Sequence, residues 1–391
     1  MTYLESPKNM PVGPLPDPFD VSGLLPRILW VTAPNGTGFW LVSDYKLARK
    51  VLTDRRFRRN EAAGLKAPKI AVYNPAPSAI ISLDGVEHVR MRKLLDRGFT
   101  EHRIGKLKPF VMRLTEDLLE GLEAQRAPAD FVSHVSAVLP FRVLCHMLGV
   151  PERDRQIFGT WINVLFRWNY GGTDGRQQSI SLARYMVQLV AAKRKEPGED
   201  LISELIRSAG QKGITDRELV TLCLSLLMAG YDSTVDQITL CTLMLMITPS
   251  LIKRLSGNPE LIPGVTEEML RLNPAPYMAF PRMAVEPVSM GGVTIQPGQL
   301  IVAFIMSSNR DSSTFAEAEE IEPERANPPH LTFGLGVHRC LGAPLARLQL
   351  ATLLAAVVRR FPELRLASDI DSLSWKPGMA TRGLSEMFVA W

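Results

Sequence analysis

Apolar residues along most of this chain recur every three to four positions, the spacing of helices that bury one face. Ahead of that regime, ILWVTAPNGTGFWLVS reads as a β-hairpin with Asn35-Gly36 at its turn. SDYKLARKVLTD predicts a helix capped by Ser43 or Asp44. Residues Glu61 to Ser82 are rich in Ala, Pro and Lys without clear period, which predicts a long loop of the kind that often serves as a lid. Helical spacing sets in from Glu87. Thr215 and Glu218 form a capping box, opening a helix that runs to about Thr248 and is stopped by Pro249. It is apolar nearly all round and so is expected to be buried. Val285 to Val302 reads as short strands and turns, and Leu341 to Phe361 as a last long helix ended by Pro362. The fold class expected is mainly α, a large helical body with small β-sheets at its edges.

Composition narrows this little: 391 residues, 46% hydrophobic and 22% charged, are ordinary for a soluble globular chain. No linker, repeat or low-complexity tract divides them, so residues 1–391 are read as one domain. The polar, proline-rich MTYLESPKNMPVGPLPDPFD lacks the apolar core of a signal peptide, and the most apolar run, Leu219 to Ile247, carries Asp232 and Asp236. Both features point to a cytoplasmic protein with no membrane anchor. The net charge of +5 comes from scattered basic residues that form no nucleic-acid stripe. Cys145, Cys223 and Cys241 sit in apolar helical surroundings as small buried hydrophobes, and no spacing suggests zinc or disulfides.

Cys340 differs. It lies in Phe333-Gly-Leu-Gly-Val-His-Arg-Cys-Leu-Gly342, directly before the helix APLARLQLATLLAAV. A thiolate bound to iron needs positive potential and N–H donors, and a helix beginning just after the cysteine supplies both. Gly334, Gly336 and Gly342 allow backbone to pass close to a flat macrocycle and to aim amides at sulfur. His338 and Arg339 can reach acidic groups of such a ligand. The other readings are an inert cysteine in a Gly-rich loop and, with no His/Asn constellation to favour it, a nucleophilic cysteine.

The segment resembles the heme-binding loop of cytochromes P450, F-x-x-G-x-x-x-C-x-G, with every fixed position present. The resemblance extends over essentially the whole chain and is strongest to soluble bacterial members. It implies heme b (iron protoporphyrin IX) with Cys340 as the iron ligand, and Phe333, Gly334 and Gly342 in the binding loop. It also implies electrons from a ferredoxin-type donor with its reductase; no flavin or nicotinamide fingerprint occurs in the chain.

Further motifs follow that family. Glu268 and Arg271, spaced i, i+3, match E-x-x-R, whose pair locks a third arginine, here Arg325. His88 and Arg92 match the H-x-x-x-R pair that binds heme propionates; Arg282 matches a second propionate arginine, and His338 a further donor. Read alone, these are solvated surface pairs. Ala229-Gly230-Tyr231-Asp232-Ser233-Thr234 falls inside the long buried helix, where Gly and Ser invite a kink. Asp232 is then either a core acid with a local partner or, with Ser233 and Thr234, a proton-delivery group beside dioxygen. The family's usual threonine is replaced by Ser233, which keeps the hydroxyl and loses the methyl that restricts its rotamer.

Candidate substrate contacts are Met228, Ala229, Met278, Phe280, Trp161 and Phe166. They belong to walls that include the Glu61–Ser82 loop, the aromatic segment 158–172 with Trp168 and Tyr170, Ala275 to Phe280, and Met379 to Arg382. Each aromatic taken singly also suits helix packing. LVSDYKLARKVLTDRRF, ELIPGVTEEMLRLN, AFPRMA and Trp391 look similar to bacterial P450s that oxidise cyclic dipeptides. The resemblance implies oxidative C–C or C–N coupling of tryptophan-containing diketopiperazines in natural-product biosynthesis. The alternatives are a monooxygenase hydroxylating an apolar natural-product intermediate, and a non-catalytic heme sensor.

Overall fold

The computed structural model describes residues 26–33, 35–70, 75–167, 173–209, 214–325, 330–376 and 381–391. The N-terminal twenty-five residues, Trp168, Tyr170 and Met379 lie outside the described residues, as does the side chain of Phe166.

The hairpin forms as its alternation predicts. β1 (Ile28–Thr32) and β2 (Gly38–Val42) pair antiparallel, with Trp30 opposite Trp40 and their rings 5.2 Å apart edge to face. Gly36 takes φ 85° at the turn, a conformation glycine adopts without strain. β3 (Phe57–Arg58), β4 (Arg282–Ala284) and β5 (Leu300–Ala303) complete a sheet ordered β1-β2-β5-β4-β3. Asp44 caps the helix Tyr45–Thr53, accepting from Leu47 N–H at 2.8 Å. The expected loop after it holds a short helix, Arg59–Ala63, and a turn of 3-10 helix at Ile80–Ser82.

The helical body follows. Five of its helices position the site: α1 (Gly85–Asp96), α2 (Asp216–Gly230), α3 (Asp232–Ile247), α4 (Ile262–Leu272) and α5 (Ala343–Arg360). α3 packs against α4, α5 and the helix Val138–Leu148, and is buried on nearly every face. Cys145, Cys223 and Cys241 lie in this core, where burial pushes each thiol up to about 12.

The capping box forms, with Glu218 N–H 3.2 Å from Thr215 Oγ1 and Thr215 N–H 2.9 Å from Glu218 Oε2. The single helix expected from there to Thr248 is instead two, broken at Tyr231. The Ser233 hydroxyl donates to the Ala229 carbonyl at 2.7 Å, and the ladder restarts from Tyr231 O, which accepts from Thr234 and Val235 at 3.0 Å each. By length and composition Asp216–Ile247 could cross a bilayer. Its second half is enclosed by protein, however, and Asp236 is wholly buried beside Lys376, which marks a core helix.

Candidate heme site

Cys340 sits where loop becomes helix. Its N–H donates to Phe333 O at 2.8 Å, closing the loop, and its sulfur accepts the N–H groups of Gly342 and Ala343 at the mouth of α5. Protein packs densely around the thiol. Burial pushes the thiol up; the two amides, Arg92 and Arg347 pull it back toward the anion. Gly334 and Gly336 take φ 64° and 75°, and a Cβ on Gly336 would lie 2.9 Å from Leu52 O. The loop therefore needs glycine at both positions.

Four of the expected anion-binding groups gather with one that sequence reasoning missed. His88 is 3% exposed, and its ring lies 4.4 Å from that of His338. Burial, then the charges of His338 and Arg92, hold its imidazole down to about 4, so it stays neutral at physiological pH. Arg92 donates to Arg339 O at 2.7 Å and to Asp96 Oδ1 at 2.8 Å. Arg282 is buried, with its Nη1 3.4 Å from Phe57 O and its Nε unpartnered among the described residues. The fifth group is Arg59, 3% exposed, held by the carbonyls of Ile81 and Pro281 and lying over the Phe280 ring. Burial, then Arg282, bring Arg59 down to about 10; burial does the same for Arg282. His338 Nε2 pairs with Asp84, which leaves its Nδ1 buried without a partner among the described residues. Crowded buried cations with orphaned N–H groups are what a dicarboxylate macrocycle would satisfy. The donor set thus fits an iron porphyrin above Cys340. Arg339 lines a pocket with Tyr45, Arg49 and Arg347, and its carbonyl accepts from Arg92.

Beneath the loop, α4 supplies two adjacent acids. Glu268 takes Arg271 in a bidentate pair at 2.8 Å per contact and Arg325 Nε at 3.1 Å. Arg271, wholly buried, also donates to the carbonyls of Asn309, Ala318 and Glu320. Glu267, which the sequence did not single out, takes Arg347 at 2.6 and 2.7 Å and His330 at 3.1 Å. Arg347 in turn lies 4.6 Å over the Phe333 ring. Glu268 thus ties the segment around Arg325 to α4, and Glu267 ties α5 and His330 to it.

Asp232 and Thr234 are buried at the start of α3, and Ser233 is half-buried. Asp232 bonds to Lys376 Nζ at 3.1 Å and Thr381 Oγ1 at 3.2 Å. Its counter-ion is thus a lysine far along the chain, not the local backbone group or arginine that a core acid suggested. Ala229 is exposed and Met228 half-buried although the helix around them is internal. Phe280 is 37% exposed, while Met278 packs partly onto the sheet core. Ala275 is fixed to both neighbours, its N–H to Gln237 Oε1 at 2.9 Å and its carbonyl to Arg382 N–H at 2.8 Å. Trp161 packs on Tyr185, ring centroids 5.7 Å apart, between two helices. That contact is one of helix packing.

A signature cysteine at a helix mouth, a buried cation cluster and a broken central helix define a heme-thiolate protein, and comparison with known proteins agrees. The profile of the family described as Cytochrome P450 matches residues 174–374. The mycinamicin IV hydroxylase/epoxidase of Micromonospora griseorubida is 37% identical over 364 residues, 92% of this chain and 91% of the relative. Nocardicin C N-oxygenase of Nocardia uniformis subsp. tsuyamanensis is 37% identical over 93% of this chain and 92% of its own. Among solved structures, a mutant of the mixed-function P450 MycG in complex with mycinamicin V superposes with a TM-score of 0.91 at 36% identity, covering 98% of both chains. SgvP, a candidate thioether synthase involved in griseoviridin tailoring, gives 0.89 at 32% identity, again over 98% of both. The chain belongs to the cytochrome P450 family. It is a heme-dependent oxidoreductase of the bacterial secondary-metabolism branch, which sets aside the sensor reading.

Proposed function

We propose that this protein is a heme-thiolate oxidase that joins tryptophan-containing cyclic dipeptides by a C–C or C–N bond, using O₂ and two electrons from a ferredoxin-type donor. The observation that carries the heme-thiolate part is Cys340 at the mouth of α5, its sulfur facing two backbone amides. Bound heme supplies the reductive activation of dioxygen and the oxidising power. Cys340 holds the iron; the Gly342 and Ala343 amides disperse charge on its sulfur. His88, Arg92, Arg282 and His338, with Arg59, hold the propionates. Asp232, with Ser233 and Thr234, supplies protons on the oxygen side. Exposed Ala229 and Phe280 offer apolar surface to an indole-bearing ring system.

The coupling balances as two C–H or N–H substrates plus O₂, two electrons and two protons giving one coupled product and two waters. Its support is the resemblance of the quoted segments to cyclodipeptide oxidases, and the bond-forming role named for SgvP. Hydroxylation is the second reading, favoured by the hydroxylase/epoxidase name of the mycinamicin relative. It consumes the same O₂, electrons and protons, and yields an alcohol and one water. A panel of cyclic dipeptides is screened for a spin-state shift in the heme spectrum, then turned over with ferredoxin and reductase. A product mass of two substrates less two hydrogens supports coupling; one substrate plus one oxygen supports hydroxylation; no shift with any tryptophan-containing member overturns the substrate assignment.

A further inference from the structure

Asp232 and Asp236 stand one turn apart on α3 and are clasped by the same two side chains from the C-terminal segment. Lys376 Nζ lies 3.1 Å from Asp232 Oδ1 and 2.6 Å from Asp236 Oδ1. Thr381 Oγ1 lies 3.2 Å from Asp232 Oδ2 and 2.6 Å from Asp236 Oδ2. Asp236 is wholly buried and Asp232 nearly so. Gly383 closes the cluster so tightly that a Cβ there would sit 1.9 Å from Asp236 Oδ1. The charged groups acting on Asp236 are Asp232, on its own helix, and Lys376, on the segment packed against it. Arg382, next in that segment, reaches instead to Asn273 Oδ1 at 2.9 Å and the Trp375 ring.

Charge counting then limits the protonation state. Two carboxylates and one ammonium leave a net negative charge in the interior, which is costly; one retained proton makes the cluster neutral. Burial, then repulsion from Asp232, push Asp236 up to about 7 against the pull of Lys376 and Thr381. The threonine hydroxyl has one hydrogen to donate and lone pairs to accept. It can take a hydrogen bond from a neutral Asp236 while giving its own to Asp232.

We propose that Asp236, Thr381 and Lys376 form a one-proton store that loads Asp232 for each delivery to the oxygen side of the heme. Thr381 passes its hydroxyl proton to the anionic Asp232 and takes one from Asp236, and Asp232 delivers the proton it has gained. Asp236, now anionic beside Lys376, regains a proton from water at the lysine, whose side chain is the most accessible of the cluster at 20%. The store rests on the delivery role proposed for Asp232.

Infrared spectra of the heme-loaded protein, recorded across neutral pH, test the store without turnover. A neutral-carboxyl stretch that titrates near neutrality is expected. It should vanish in Asp236→Asn, and also in Asp232→Asn, because one carboxylate beside Lys376 is then neutral without a retained proton. A wild type without that band, or a band untouched by Asp236→Asn, overturns the store. In turnover, Asp236→Asn and Thr381→Val should keep the thiolate-type ferrous–CO spectrum. Both should form several-fold less product per electron pair, release more peroxide and lose the near-neutral ionisation in the rate profile; Thr381→Ser should behave as wild type. If Asp236→Asn fails to take up heme, the Thr381 pair decides alone. Wild-type coupling in Thr381→Val removes the store. Impaired Asp232→Asn beside unimpaired Thr381→Val leaves the delivery role standing and sinks only the store, whereas wild-type coupling in Asp232→Asn sinks the delivery role itself.

Discussion

His338 Nε2 and Asp84 Oδ1 lie 2.9 Å apart, and the other oxygen of the same carboxylate accepts the backbone N–H groups of Arg59 and Asn60 at 2.7 and 2.9 Å. One acid therefore fixes both an imidazole of the heme loop and the start of the short helix that carries Arg59. Burial works against the Asp84 anion, but these hydrogen bonds outweigh it and hold the carboxyl below its usual range. With Nε2 engaged, Nδ1 is the ring nitrogen left for a propionate.

Asp84→Ala should loosen heme without changing its iron ligand. Outer partners of ligand-binding groups are typically worth roughly ten-fold or more in affinity. Heme transfer to excess apomyoglobin should accelerate by about that factor, while the thiolate-type ferrous–CO band keeps its position. An unchanged transfer rate would show that His338 needs no orienting partner.

Removing Glu268 should be far more damaging. Arg271 is wholly buried and Arg325 largely so, and Glu268→Ala leaves both without their carboxylate. Breaking a buried pair from one side costs about 3–5 kcal/mol. Chemical denaturation of Glu268→Ala should show a loss of that size, and pairing it with Arg271→Leu should recover part of it. A single variant within about 0.5 kcal/mol of wild type would place the triad among the weak contacts of the surface.

The local chemistry of the loop was open to sequence reading because it depends on neighbours in the chain: a cysteine before a helix, glycines at fixed offsets, an i, i+3 pair. The hairpin at Asn35-Gly36 and the Thr215 capping box were legible for the same reason. The clasp on α3 was not. Asp236 showed only as a charge in an apolar run, and its partners Lys376 and Thr381 lie 140 and 145 residues away. Arg59 likewise looked like one more basic residue in DRRFRRN, and nothing local sends it inward over Phe280. The break at Tyr231 was half visible: Gly230 and Ser233 suggested a kink, but the Ser233–Ala229 bond that opens the ladder is a matter of rotamer.

Glu267 gives a pH test. Burial raises its pKa, but the hydrogen bonds from Arg347 and His330 prevail and bring it to about 2, below an ordinary value of 4.5. A depressed folded-state pKa stabilises the protein above the unfolded value, and that contribution disappears as pH falls through the folded one. Glu267→Gln should therefore cost on the order of 2 kcal/mol at neutral pH, after allowance for the partial exposure of the pair. The gap between variant and wild type should narrow as pH drops below about 4.5. Thermal unfolding across that range measures it, and a gap that widens on acidification would reverse the assignment.

Gly383 offers the sharpest steric test. Its absent side chain is what lets the C-terminal segment lie against α3: a Cβ would come within 2.2 Å of Asp236 Cγ as well as 1.9 Å of Oδ1. In Gly383→Ala either the carboxylate swings off Lys376 and Thr381 or the segment withdraws, and both leave buried charge poorly paired. A loss of about 2–3 kcal/mol is expected. Gly257→Ala is the matched control, because nothing lies within 4 Å of its added Cβ. The decisive comparison is a double-mutant cycle with Asp236→Ala, which clears the space the new methyl needs. Gly383→Ala should then cost little in the Asp236→Ala background, giving a coupling of about 2 kcal/mol between the two positions. Simple additivity of the two losses would mean that the methyl meets some other obstacle, and that Gly383 does not set the carboxylate's place.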